Sequence, residues 1–124
     1  MSFKYKWIEN NFYAQFFGNI KFSYALMEDI NSKWYGNRKF EYMKYSIFDY
    51  RLVDEFNISK EDIKMISFLD RSASRWNTNL KVALIAKDEI MYKGMSLYLK
   101  WMNDITWDIK IFFNLKDAIK WCKE

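Results

Sequence analysis

The chain of 124 residues has no histidine and no proline, a single cysteine and three glycines. Without histidine there are no Ser-His or Cys-His catalytic pairs, few ways to bind zinc, and no side chain that titrates near neutrality unaided. A lone cysteine, Cys122, rules out an internal disulfide and a thiolate metal cluster, which fits a reducing compartment. Flanked only by lysines, it reads as a small apolar residue of the last helix, not as an activated nucleophile. Long apolar runs are missing too: stretches such as Val82 to Ala86 reach five residues, whereas a membrane helix needs about twenty. No transmembrane segment is expected. Lys4, Lys6 and Glu9 interrupt any apolar leader, so the expectation is a cytoplasmic protein without a secretory signal.

What is present is apolar and aromatic. Hydrophobic residues make up 51% and aromatic residues 21% of the chain, too much to remain disordered, and the length suits one domain. Six Trp, nine Tyr and eleven Phe are hard to bury completely in so small a domain. A surplus at the surface favours a partner interface or an apolar pocket, and a homodimer is the expectation. The net charge of +4 comes from lysines and arginines spread singly along the chain. No block of like charge marks a nucleic-acid face, and nucleic acid is the least favoured partner. The richness in Lys, Asn, Ile, Phe and Tyr is also what an AT-rich coding sequence produces without selection for function.

Residue patterning predicts an alternating α/β chain. Phe3 to Ile8 and Phe12 to Phe17 read as two strands joined at an asparagine turn over Glu9, Asn10 and Asn11. Phe22, Leu26 and Ile30, with Ala25 on the same face, then predict a helix ended by Gly36-Asn37. Tyr42 to Asp49 reads as a third strand, stopping at Asp49-Tyr50-Arg51. Ser59 with Asp62 three residues later forms a capping-box pattern, with Ile58 and Ile63 at the staple positions. The helix it opens carries Ile63, Ile66, Ala73 and Trp76, with Leu69 or Asp70 between, to about Asn77.

Val82 to Ala86 is apolar on both faces and is expected in the middle of the sheet, covered by helices. Met91, Met95, Tyr98, Met102 and Ile105 form a helical stripe after Asp88, in which Gly94 predicts a close approach of helix to sheet. The three methionines suit either a core or an adaptable surface. Ile109, Ile111 and Phe113 alternate as a last strand, and Asn114 caps a helix facing inward with Leu115, Ala118, Ile119 and Cys122. The order is ββαβαβαβα: a mixed sheet with an antiparallel hairpin followed by right-handed parallel crossovers.

Several of these segments, in this order, resemble a bacterial family of small proteins. They are the strand Lys81 to Ala86, helical Tyr92-x-Gly94, the tail Phe112-x-x-Leu115-x-x-Ala118-x-x-Trp121, Asp49-Tyr50-Arg51, Ile58-Ser59-x-x-Asp62-Ile63 and Phe17-Gly18. The family is the STAS-like group, related to the anti-sigma-factor antagonists (SpoIIAA-like). The resemblance covers most of the chain and implies their fold, a mixed sheet with helices packed through β-α turns. It also implies binding of partner proteins, nucleotides or other small ligands without catalysis. Signalling members carry a phosphorylatable Ser or Thr two residues after an Asp at the end of the third strand. Here Arg51 stands two residues after Asp49, so that switch is not expected.

Ligands of open α/β sheets gather at the carboxyl ends of the strands. That rim holds Asp49, Arg51, Lys87, Asp88 and Asn114, with Met91 and Met95 just beyond. Asp49 and Arg51, two apart, could face opposite ways or clasp a polar ligand, while Asp88 and Asn114 have an alternative role as helix caps. The leading expectation is a non-catalytic STAS-like interaction or regulatory module, most simply self-associating. Its alternative is a carrier or sensor of a small apolar or lipid-like ligand held between the methionine helix and the sheet. The mark of that alternative is a closed apolar cavity of roughly several hundred Å³. An enzyme would need converging carboxylates, such as Asp49 with Asp54 or Asp88. No cofactor is implied.

Overall fold

A computed structural model of the chain describes residues 3–21 and 24–124. Strands β1 (Phe3–Ile8) and β2 (Asn11–Lys21) form the antiparallel hairpin, with Phe3 opposite Phe16 and Ile8 opposite Asn11. Glu9, not an asparagine, takes the left-handed position of the turn, at φ 58°. Asn11 instead ties the hairpin to its neighbour, its Oδ1 accepting from the backbone N–H groups of Lys44 (3.0 Å) and Tyr45 (3.2 Å).

Beyond the hairpin the chain alternates: α1 (Tyr24–Lys33), a short 3-10 helix (Arg38–Tyr42), β3 (Tyr45–Asn57), α2 (Lys60–Ala73), β4 (Lys81–Ile85), α3 (Glu89–Trp101), β5 (Asp108–Phe112) and α4 (Leu115–Cys122). The strands lie in chain order, β1-β2-β3-β4-β5, and every pairing after the hairpin is parallel. Crossovers of one hand between strands that step steadily across a sheet put their helices on one face. The packing agrees. Ile30 of α1, Ala73 of α2, and Met91 and Met95 of α3 share one core with Phe12, Phe16, Phe48, Val82 and Leu84. Following the last strand, α4 closes on the opposite face, where Ala118 and Cys122 pack on Tyr45, Ile47, Ala83 and Ile85. The capping box is formed, Ser59 Oγ accepting from Asp62 N–H (3.1 Å) and Asp62 Oδ2 from Ser59 N–H (3.0 Å). No helix of the described residues is long and apolar enough to cross a membrane.

Several expectations are corrected. β4 is covered on both faces, but it is fourth of five; the middle strand is β3, because the hairpin occupies one whole side of the sheet. β3 does not stop at Asp49 but runs to Asn57 alongside a longer β2. It absorbs an extra residue at two irregularities, between Asp49 and Leu52 and between Val53 and Glu55. The buried face of α1 is Met27, Ile30 and, just past its end, Trp34, whereas Ala25 is exposed; Phe22 lies outside the described residues. Both sets satisfy a helical period, and the bulk of Trp34, whose Nε1 donates to buried Ser46 Oγ at 2.8 Å, selects the second. Trp76, beyond the end of α2, is exposed. Gly94 is not required by crowding, since a Cβ there would meet only Phe56 Cε1, at 4.0 Å.

Candidate functional site

The strand-end rim gathers charged side chains, and the layer between α1–α3 and the sheet combines a concavity with polar groups. At the rim, Asp49 and Arg51 point to the same side of β3 and clasp each other. The fully buried Asp49 accepts from Arg51 Nε (2.9 Å), Arg51 Nη2 (2.7 Å), the Arg51 backbone N–H (3.1 Å) and Tyr13 OH (2.7 Å). Burial alone would raise this carboxyl, but the hydrogen bonds from Arg51 and Tyr13 outweigh it and hold the group below its ordinary value. Four donors occupy the roughly four acceptor positions of a carboxylate, so the pair is satisfied internally.

The other rim residues are similarly engaged. Lys87 Nζ donates to the carbonyl of Val53 at 2.9 Å, bracing the irregular stretch of β3. Asp88 caps α3, accepting from Met91 N–H at 2.9 Å, and Asn114 caps α4, accepting from Asp117 N–H at 2.8 Å. Met91 and Met95 are buried in the core and offer no adaptable surface to a partner. The carboxylate pairs that hydrolytic chemistry would need do not form at Asp49, for neither Asp54 nor Asp88 is among the groups acting on it.

The second place is a partly open, largely apolar pocket of about 100 Å³. Its floor is the sheet, with Phe16, Phe48, Tyr50, Phe56, Val82 and Leu84. Its roof is Met27 and Ile30 from α1, Ile63, Ile66 and Leu69 from α2, and Gly94 and Met95 from α3. Asp70 of α2 enters this wall beside Tyr35 and Tyr98. The helical spacing that buries Ile63, Ser67 and Ala73 also carries Asp70 inward, to 6% exposure. Ser67 satisfies itself on the Ile63 carbonyl (2.8 Å), but a carboxylate has no such local outlet.

Two tyrosine hydroxyls serve Asp70 instead. Tyr98 OH donates to Oδ2 at 2.6 Å, and Tyr35 OH donates to Oδ1 through a short contact. Burial pushes the Asp70 carboxyl up to about 6, with the two hydrogen bonds pulling the other way. Burial, with the negative charge of Asp70 beside them, likewise raises the hydroxyls of Tyr35, Tyr98 and Tyr50 far above their ordinary value. None of the ion pairs among the described residues includes Asp70. The site can accept hydrogen bonds, hold a proton or hold a positive charge. At about 100 Å³ the pocket is well below the several hundred Å³ that drug-sized ligands occupy.

The sequence pattern puts Asp70 or Leu69 on the inward face of α2 and Tyr98 in the stripe of α3, but it gives this cluster no role. The available signal was a charged residue at an inward helical position, between Ile66 and Ala73, and a tyrosine at the inward position of the next helix. Another concavity, an open groove of about 480 Å³, lies on the α4 face between that helix and the hairpin. Tyr13, Tyr45 and Ile119 line it, with Lys4, Lys6 and Lys123 at its margin. No protein-family model, curated protein or solved structure matches the chain.

Proposed function

We propose that this protein is a non-catalytic STAS-like module that senses or carries a compact small molecule in the pocket beneath α1, α2 and α3. The observation that carries this reading is Asp70, a carboxylate placed in the wall of an apolar pocket and served, among the described residues, by two tyrosine hydroxyls. Burying such a group without a countercharge costs stability, and a hydrophobic residue at the same position would pack without that cost. Binding sites are where such costs are tolerated, and an apolar pocket with a few convergent polar groups is the usual form of a small-molecule site. The STAS-like part of the proposal rests on the element order and on the segments that resemble that family.

The test uses three probes of the same size but different charge: isopropylammonium, 2-propanol and acetate. Methyl NMR of Met27 and Met95, which line the pocket, is followed during each titration, with Met102 as a buried methionine outside it. Shifts at Met27 and Met95 without shifts at Met102, for at least one probe, are expected. If all three leave Met27 and Met95 unmoved at high millimolar concentration, the pocket is not a binding site.

A second reading, a self-associating or partner-binding module, is favoured by the large apolar side chains left on the surface. At the strand-end rim Ile90 is 83% exposed, and Tyr92 and Phe113 stack with ring centroids 5.6 Å apart. On the outer faces of α2 and α3, Met65, Phe68 and Trp101 are exposed. Sedimentation equilibrium decides it: a dimer that Ile90→Lys converts to a folded monomer supports this reading, and a wild-type monomer at high micromolar concentration removes self-association.

A further inference from the structure

Resting on the pocket reading, we infer that the ligand of this cavity is a compact monocationic amine, held by charge at Asp70 and by aromatic faces around it. Size is the first constraint. A dry cavity of about 150 Å³ accommodates benzene, so one of about 100 Å³ suits roughly four heavy atoms. Charge is the second. Each Asp70 oxygen accepts one tyrosine hydroxyl and keeps a further lone pair for an N–H donor. Among the described residues no cationic side chain is paired with the carboxylate, so a bound ammonium supplies the countercharge.

The third constraint is the lining. Tyr35, Tyr50, Tyr98, Phe16, Phe48 and Phe56 put aromatic rings around the same space. Ring faces attract alkylammonium groups and give an anion nothing. An anionic ligand would also meet the Asp70 charge, and a neutral one would leave that charge unmatched. The titratable groups facing Asp70 are Tyr35 beyond the end of α1, Tyr50 of β3 and Tyr98 of α3, all hydroxyls that stay protonated through neutral pH. Ionisation of the site over that range therefore belongs to Asp70 alone.

The experiment compares isopropylammonium with its neutral isostere 2-propanol on the whole protein, read at the Met95 methyl. At pH 8 the ammonium is expected to bind at least tenfold more tightly. Lowering the pH to 5 protonates most of Asp70 in the free protein and is expected to weaken ammonium binding by about tenfold, leaving 2-propanol unchanged. Asp70→Asn is expected to bring the two probes within about twofold of each other. The pH series in wild-type protein needs no variant and stands if Asp70→Asn does not fold. Equal affinities at pH 8, a preference for 2-propanol or acetate, or ammonium binding indifferent to pH would overturn the amine assignment while leaving the pocket a binding site. Failure of every probe would overturn both.

Discussion

Ionisation of Asp70 should leave a signature in stability that can be calculated from its surroundings. The carboxyl titrates at about 6 in the folded protein, against an ordinary value of 3.8. About two units of difference, at about 1.4 kcal/mol each, correspond to about 3 kcal/mol. Because the folded value is the higher one, the folded state holds the proton more tightly between the two values. The full stability contribution of the protonated acid is present below pH about 4, declines through pH 5 and is gone above pH about 7. Asp49 acts in the opposite sense. Its folded value is depressed, so its contribution is present above the ordinary carboxyl range and fades as the solution becomes more acidic.

Subtracting Asp70→Asn from wild type isolates the first effect. Urea unfolding followed by tryptophan fluorescence at pH 4, 5, 6, 7 and 8 gives both stability curves. The wild type should lose about 2.5 kcal/mol relative to Asp70→Asn between pH 4 and 8, with the midpoint near pH 5. At pH 8 the variant should be the more stable of the two, even after about 1 kcal/mol is lost where an amide replaces a carboxylate as hydrogen-bond acceptor. A difference that does not change with pH, or one that grows in favour of wild type as pH rises, would refute the claim that Asp70 is buried without a countercharge.

Three further outcomes follow from the same geometry. Gly94→Ala should stabilise the protein by about 1 kcal/mol, because alanine is the better helix former and its Cβ meets only Phe56 at 4.0 Å; urea midpoints measure this, and the added methyl should weaken binding of 2-propanol. Arg51→Ala should destabilise by about 2 kcal/mol, since it strips two side-chain hydrogen bonds from buried Asp49 while the backbone N–H of residue 51 still donates, and the guanidinium lost keeps one wet flank; an unchanged midpoint would show that the clasp is idle. Cys122, buried with its thiol pushed up to about 11, should react with a thiol reagent at pH 7.5 only as fast as the protein opens, so labelling in native buffer at the rate of a free thiol would contradict its placement under α4.

The element order was legible because each element carries its own local signal. Period-two aromatics mark the hairpin, the Ser59–Asp62 box opens α2, and the methionine stripe of α3 buries Met91, Met95 and Met102 as its spacing requires. What local signals could not supply is which satisfied group is satisfied by whom. Asp49-Tyr50-Arg51 looks like a strand terminus because Asp and Arg favour turns and surfaces. In the fold Arg51 neutralises the charge and Tyr13 donates a hydrogen bond to it, and β3 continues for eight residues past Asp49 to Asn57. Met27 is buried and Leu26 partly buried on the inward side of α1, so both periodic sets reach the core, and the packing of Trp34 turns the helix toward Met27. Asp70 was hidden for the same reason. Its partners come from α3 and from the turn after α1, at separations of 28 and 35 residues, so its role emerges only when three elements are assembled.

The most direct measurement is a crystal structure of the protein grown with isopropylammonium at pH 8. The expected result is density for a four-atom ligand inside the cavity, its nitrogen within hydrogen-bond reach of an Asp70 carboxylate oxygen and its methyl groups against Tyr98 and Phe56. A cavity filled by repacked side chains, or probe density confined to the surface, would contradict the assignment of this pocket as the protein's binding site.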